Sequence, residues 1–279
     1  MGLFNLRHIA RTGREAGEAG FESPSLAYPW WRIIIGLVVL LVIAVFALSQ
    51  GSVDMPALTI LKILASKIPG LEITPTWPES WDTILWQLRL PRILLAGMVG
   101  GALAMSGATY QGLFRNPLAD PYLIGVAGGA GLGATIVIVT AVPIYLGGFS
   151  LLPIAAFLGA IIAVAIAYAV ARRSGGLPLT TLILAGVAIA FMTGAATSLL
   201  MIRSDPDVKP LLGWLLGGFA STQWKDIIII LPYLFPGVFI MFAYRRVLNL
   251  FQVDEEEAKQ LGVNVERAKL ALIVVASLT

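Results

Sequence analysis

Long apolar runs separated by short polar breaks dominate the pattern of this chain. The first extends from Trp30 to Leu48, with Trp30 and Trp31 at its edge, where aromatic rings favour a membrane–water interface. Comparable runs follow at 91–113, 122–142, 151–171, 178–202 and 226–246. Each approaches the roughly 20 residues that a helix needs to cross a hydrocarbon layer of about 30 Å. The pattern therefore predicts six complete membrane-spanning helices. A seventh apolar run begins near Ala268 and reaches only to Thr279, too short for a span, so the chain is expected to stop inside a helix.

Between these runs, two apolar segments are too short to cross. Residues 56–68 (PALTILKILASKI) place apolar side chains at helical spacing with Lys62 and Lys67 to one side, the pattern of a helix lying on the outer membrane surface. Residues 210–222 (PLLGWLLGGFAST) are glycine-interrupted and read as a re-entrant or interfacial helix. Residues 1–29 are polar and form a cytoplasmic tail, with a short helix expected near Phe4–Arg11. A cleaved signal peptide is the competing reading of the N-terminal region. Its charged part would be unusually long and no small-residue cleavage site follows the apolar run, so a retained helix is preferred.

Composition agrees with a lipid environment. Hydrophobic residues make up 58% of the 279 positions and charged residues only 13%, against about 25% in soluble domains. The net charge of +3 does not point to nucleic acid, because Lys and Arg sit in clusters at the ends of apolar runs, as topology signals do. With the N-terminus inside, twelve of the basic residues fall on inner segments and seven on outer ones, which favours that orientation. Arg89 and Arg92 lie on the outer side and so are candidates for a specific role. Cysteine is absent, which excludes disulfides and thiolate chemistry. The single histidine, His8, lies in the polar tail.

The proposed spans contain no Asp, Glu, Lys, Arg or His well inside the hydrocarbon. Ion-coupled carriers usually place such groups there, so a secondary transporter is disfavoured; an intramembrane protease lacks its catalytic side chains as well. No G-x-x-x-x-G-K-[ST] occurs, so the chain is not its own P-loop ATPase. The Gly125–Gly133 stretch (GVAGGAGLG) resembles a dinucleotide loop but has no strand before it. Close helix packing through small residues is the better reading for Gly125 and Gly129, and for Gly97, Gly101 and Gly107 on the second span.

Three polar constellations remain. In Arg115–Pro121 (RNPLADP), Pro117 and Pro121 interrupt helices while Asn116 and Asp120 favour caps and turns. By residue type alone this is a capped interhelical turn. Arg89 and Arg92 bracket Pro91 and can act either as snorkelling anchors or as receivers of partner carboxylates. The charged segment 245–269 places Asp254–Glu257 where a helix N-terminus favours acids and Leu261–Gly262 where a helix stops.

The block from Arg89 to Gly133, with R-L-P-R, S-G-A-x-x-Q, R-N-P-L-A-D-P and a glycine-rich run in order, resembles the FecCD/BtuC-like permease family. The blocks LTTLILAGVA (179–188), GWLLGGFASTQW (213–224) and EEEAKQLGVNVERAK (255–269) match as well, so the resemblance covers roughly 85–279. It implies an all-α polytopic membrane protein with the BtuC-like permease fold of type II ABC importers, in which residues 30–279 form the permease domain. The implied function is translocation of an iron siderophore, heme or cobalamin across the bacterial cytoplasmic membrane, with no bond chemistry in this chain. Expected partners are a permease homodimer or related second permease, two ABC ATPase subunits that bind ATP and Mg, and an extracytoplasmic substrate-binding protein. No cofactor or metal is expected on this chain.

The resemblance also implies residue roles. Asn116 and Leu118 would form a cytoplasmic gate with Thr180 and Thr181, and Arg89 and Arg92 would receive acidic residues of the binding protein. The loop 245–267 would couple to the ATPase through Asp254, Glu255, Glu257, Ala258, Gln260, Leu261 and Gly262. Two departures stand out. Asp254 occupies a position where the family commonly has Gly, and the family has about ten helices, whereas the runs here reach only the start of a seventh. A secondary carrier and a non-transporting membrane scaffold are the alternative classes.

Overall fold

The computed structural model describes residues 30–71, 73–140, 145–146, 149–173, 179–203, 208–219, 222–253 and 255–279. The N-terminal tail, the helix expected near Phe4–Arg11 and Asp254 lie outside them. The chain divides into two compact units, residues 1–57 and 58–279. The first contains helix α1 (Trp30–Ser49), apolar around its whole circumference, with the Arg32 guanidinium 5.3 Å from the Trp31 ring.

The second unit opens with the short helix α2 (Ala57–Ala65), which buries Ile60 and Ile63 and leaves Lys62 exposed. A helix therefore forms within the segment 56–68 where apolar spacing predicts one. Next comes a single helical stretch from Glu79 to Phe114. It comprises α3 (Glu79–Thr83), a π-helical turn (Ile84–Arg89) and α4 (Leu90–Phe114). The helix begins about ten residues before the apolar run at 91–113 because Pro91 does not break it. A proline ring clashes with the carbonyl four residues earlier and lacks an N–H, and the wider π turn just before Pro91 accommodates both defects.

The run 122–142 is not one continuous helix among the described residues. It resolves into a 3-10 turn (Pro121–Ile124) and the 14-residue helix α5 (Val126–Val139). Asp120 caps the turn, and Gly125 breaks the helix with φ of +83°, a conformation that L side chains rarely adopt. A two-residue antiparallel pair, β1 (Tyr145–Leu146) and β2 (Phe149–Ser150), precedes α6 (Leu151–Arg172). The chain continues through α7 (Leu179–Arg203) and α8 (Val208–Leu215) to α9 (Trp224–Ala243). Then come α10 (Arg245–Val253), α11 (Glu255–Gln260) and α12 (Val265–Leu278).

Among the described residues, five helices are long and apolar enough to cross a membrane: α1, the Glu79–Phe114 stretch, α6, α7 and α9. Within the second unit, α5, α6 and α7 pack together, and α4 packs with α9, α10 and α12. Glycine makes the first cluster possible. A Cβ at Gly129 would collide with the Gly159 carbonyl, one at Gly133 with the Ala155 carbonyl, and one at Gly128 would lie 2.5 Å from Thr193 Oγ1. Lipid tails provide no hydrophobic drive between helices, so such close backbone approach is what holds them.

The glycines of α4 behave differently from expectation. Gly97 and Gly101 are exposed and Gly107 is half-buried, and a Cβ on any of them would meet nothing within 4 Å. Among the described residues they pack against no other helix. The buried face of α4 instead carries Leu95, Ala102, Ser106, Thr109, Tyr110 and Leu113. Tyr110 pins α12: its hydroxyl donates to the Ile273 carbonyl at 3.1 Å and lies 2.5 Å from Ser277 Oγ.

Candidate functional site

At the C-terminal end of α4, Arg115 adopts the left-handed conformation (φ 51°) and its N–H bonds the Gln111 carbonyl, a common way for a helix to terminate. The Asn116 side chain then accepts from the Leu118 N–H at 2.9 Å. Asp120 Oδ1 accepts from the Tyr122 N–H at 2.7 Å. Both side chains are thus engaged in shaping the turn, as their residue types predict. With its backbone so held, Leu118 projects outward and is 83% exposed, while Ala119 beside it is buried.

The 3-10 turn that follows packs on α7, where Gly186 admits the Leu123 carbonyl and Ile124. Thr180 and Thr181 begin α7 six residues earlier, about 9 Å along the axis. Thr180 is exposed and Thr181 half-buried. The four expected gate residues therefore share one end of the second unit. From Thr180 an exposed stripe continues along α7 through Leu184, Ala188, Phe191, Ala195 and Ile202, at the spacing of one helix face.

The coupling segment meets the same end. Helix α10 packs on the last turns of α4, where a Cβ at Gly112 would sit 3.4 Å from Leu248. Phe251 and Ala258 are buried there. Helix α11 stops in a Schellman motif: the Gly262 N–H bonds the Lys259 carbonyl at 2.9 Å, and the Val263 N–H bonds the Ala258 carbonyl at 3.0 Å. Gly262 supplies the φ of +83° that this stop needs, and Leu261 beside it is exposed. Asn264 then caps α12 by accepting from the Arg267 N–H at 3.0 Å. Glu255, Gln260 and Leu261 thus lie on or beside one short helix, as the sequence predicts; Glu257 belongs to the same helix.

Arg89 and Arg92 occupy the other end of α4. Arg92 is separated from Gly112 by twenty residues of one helix, about 30 Å. Arg92 is exposed and its Nε–H donates to the Phe219 carbonyl at 3.0 Å. Arg89, expected in an open vestibule, is instead only 8% exposed at the end of the π turn. Sequence reading missed this turn and the contact it makes: the Trp224 indole N–H donates to the Trp86 carbonyl at 2.8 Å. Proline five residues after Trp86 was its sole sequence signal. Among the described residues, no group of three or more His, Cys, Asp or Glu is arranged to hold a metal ion.

Apolar helices packed through glycine, with a shaped turn at one end and a pair of short helices beside it, define a polytopic membrane protein. The profile of the FecCD transport family matches residues 38–279, and the chain belongs to that family. It is 42% identical over 200 residues to the cobalamin import system permease protein BtuC of Halobacterium salinarum, covering 72% of this chain and 53% of that protein. It is 35% identical over 254 residues to the hemin transport system permease protein HmuU of Yersinia pestis, covering 88% of this chain and 71% of that one. The match thus spans about half the length of the first relative. A solved structure described as an inward-facing metal-chelate type ABC transporter superposes with a TM-score of 0.70 at 32% identity, over 88% of this chain and 73% of that one.

Proposed function

We propose that this chain is the membrane-spanning subunit of an ABC importer that moves a bulky chelate (an iron siderophore, heme or cobalamin) across the bacterial cytoplasmic membrane. The observation that carries this reading is the division of labour along α4. The shaped turn Asn116–Asp120, the start of α7 and the α10–α11 knob lie at one end, and Arg92 lies about 30 Å away at the other. In this reading the first end is cytoplasmic. Asn116, Leu118, Thr180 and Thr181 form the gate. The knob, with Asp254, Glu255, Glu257, Ala258, Gln260, Leu261 and Gly262, seats on an ATPase subunit that binds ATP and Mg.

Closure of the ATPase pair moves the knob, and the contact of α10 with the last turns of α4 passes that motion to the gate turn. At the far end a binding protein docks through its carboxylates. Arg92 has the exposed position this role needs, and Arg89, enclosed behind it, supports the turn that presents it. The exposed stripe on α7 faces the pathway, which runs between two permease subunits. Its side chains are apolar or small, suited to releasing a large ligand rather than holding it.

The test is co-purification with the ABC ATPase and binding protein of the same organism, followed by ATP hydrolysis in liposomes. The expected result is a complex whose hydrolysis is stimulated by the binding protein, with recovery of the ATPase lost in Glu255→Lys/Glu257→Lys. If no ATPase accompanies the unsubstituted chain, the importer reading fails and a carrier or scaffold replaces it.

A further inference from the structure

Where the π turn meets the start of α9, the second unit contains an open cavity of about 790 Å³. It is lined by Trp86 and Trp224 together with Lys67, Gln87, Gln223 and Lys225. Both lysines are exposed, and among the described residues neither is paired with a carboxylate. The nearest acid on α9, Asp226, is committed to the helix cap, its Oδ2 accepting from the Gln223 N–H at 2.8 Å. The cavity thus gathers two lysines that no described carboxylate pairs with, together with two amide side chains, groups able to hold an anion. The Trp86 indole N–H is itself enclosed and has no acceptor among the described residues.

From Lys225, the same face of α9 continues through Ile228, Phe235 and Phe239, all exposed, at i+3, i+10 and i+14 spacing. Tryptophans at the end of an apolar span sit at head-group level, and lysines there attract anionic head groups. A free phosphate would use the cations but not this apolar track. We infer that the cavity is a binding site for an anionic phospholipid. Its head-group phosphate lies between Lys67 and Lys225, its glycerol region against the two tryptophans, and one acyl chain along Ile228, Phe235 and Phe239. This site is separate from the gate and the coupling knob and does not depend on the cargo.

Native mass spectrometry of the detergent-purified chain tests the assignment, with dioleoyl phosphatidylglycerol, dioleoyl phosphatidylcholine and inorganic phosphate as probes. Retention of phosphatidylglycerol over phosphatidylcholine is expected, falling by roughly tenfold in Lys67→Gln/Lys225→Gln. Lys62→Gln, on α2 but outside the cavity, should retain the lipid like the unsubstituted chain and so controls for folding. Equal retention of the two lipids, or phosphatidylglycerol retention unchanged in the double variant, would overturn the inference. Displacement of the lipid by millimolar inorganic phosphate would also overturn it, in favour of a free anion. Unchanged retention with weakened binding-protein docking would reassign the lysines to a protein carboxylate.

Discussion

Asn116 shows how much of the gate turn is decided by single side chains. Its carbonyl oxygen is spent on the Leu118 N–H, which leaves Leu118 as the group that projects. Replacing Asn116 by Ala removes one hydrogen bond worth about 1 kcal/mol. The Leu118 amide should then exchange with deuterium about fivefold faster, while amides in the middle of α4 keep their protection. Unchanged exchange at Leu118 would mean that the flanking prolines alone hold the turn. The capping roles of Asn116 and Asp120 were legible from residue type, because short polar side chains reach only their own backbone. The burial of Arg89 was not, because an arginine beside a proline looks the same in sequence whether its helix ends there or continues.

Glycine-mediated packing belongs to the scale of helices, and here two runs of similar composition part ways. On α5 the glycines face α6 and α7 at backbone distance. Gly159→Val should therefore drive α5 and α6 apart, at a cost of about 1–3 kcal/mol for overpacking. The thermal midpoint of the purified chain, followed by size-exclusion chromatography in detergent, should fall clearly. Gly97→Ala should shift it little, since its Cβ meets open space and such surface changes stay within about 0.5 kcal/mol. A midpoint equally lowered by both substitutions would contradict the packing described for α5 and α4. The helical spacing of small residues was visible on both elements. Which face has a neighbour was not, because that depends on helices distant in sequence.

Over the second unit, α4 acts as a rod about 37 Å long that keeps the two proposed partner surfaces apart. Changes at its two ends should therefore have separable effects in the reconstituted complex. Arg92→Glu should abolish stimulation by the binding protein while the ATPase is recovered in normal yield. The coupling-knob variant should do the reverse, losing the ATPase while the binding protein still docks. If Arg92→Glu lost the ATPase, the two ends would not be functionally independent and Arg92 would be a folding residue, through its bond to the Phe219 carbonyl.

The sequence by itself determined the membrane setting, the order of the apolar helices, the capped turn at Asn116–Asp120 and the stop at Gly262. These follow from local causes: apolar length against bilayer thickness, proline and glycine backbone limits, and side chains bonding within a few residues of themselves. Only the tertiary structure decided that the helix runs on through Pro91 as a π turn, and that the glycines of α5 pack while Gly97, Gly101 and Gly107 of α4 stay open. It also decided that the α10–α11 knob rests on the last turns of α4 and that Lys67 and Lys225 gather around two tryptophans. These depend on which surfaces meet across distances along the chain from about twenty residues to more than a hundred, information that period and composition do not carry.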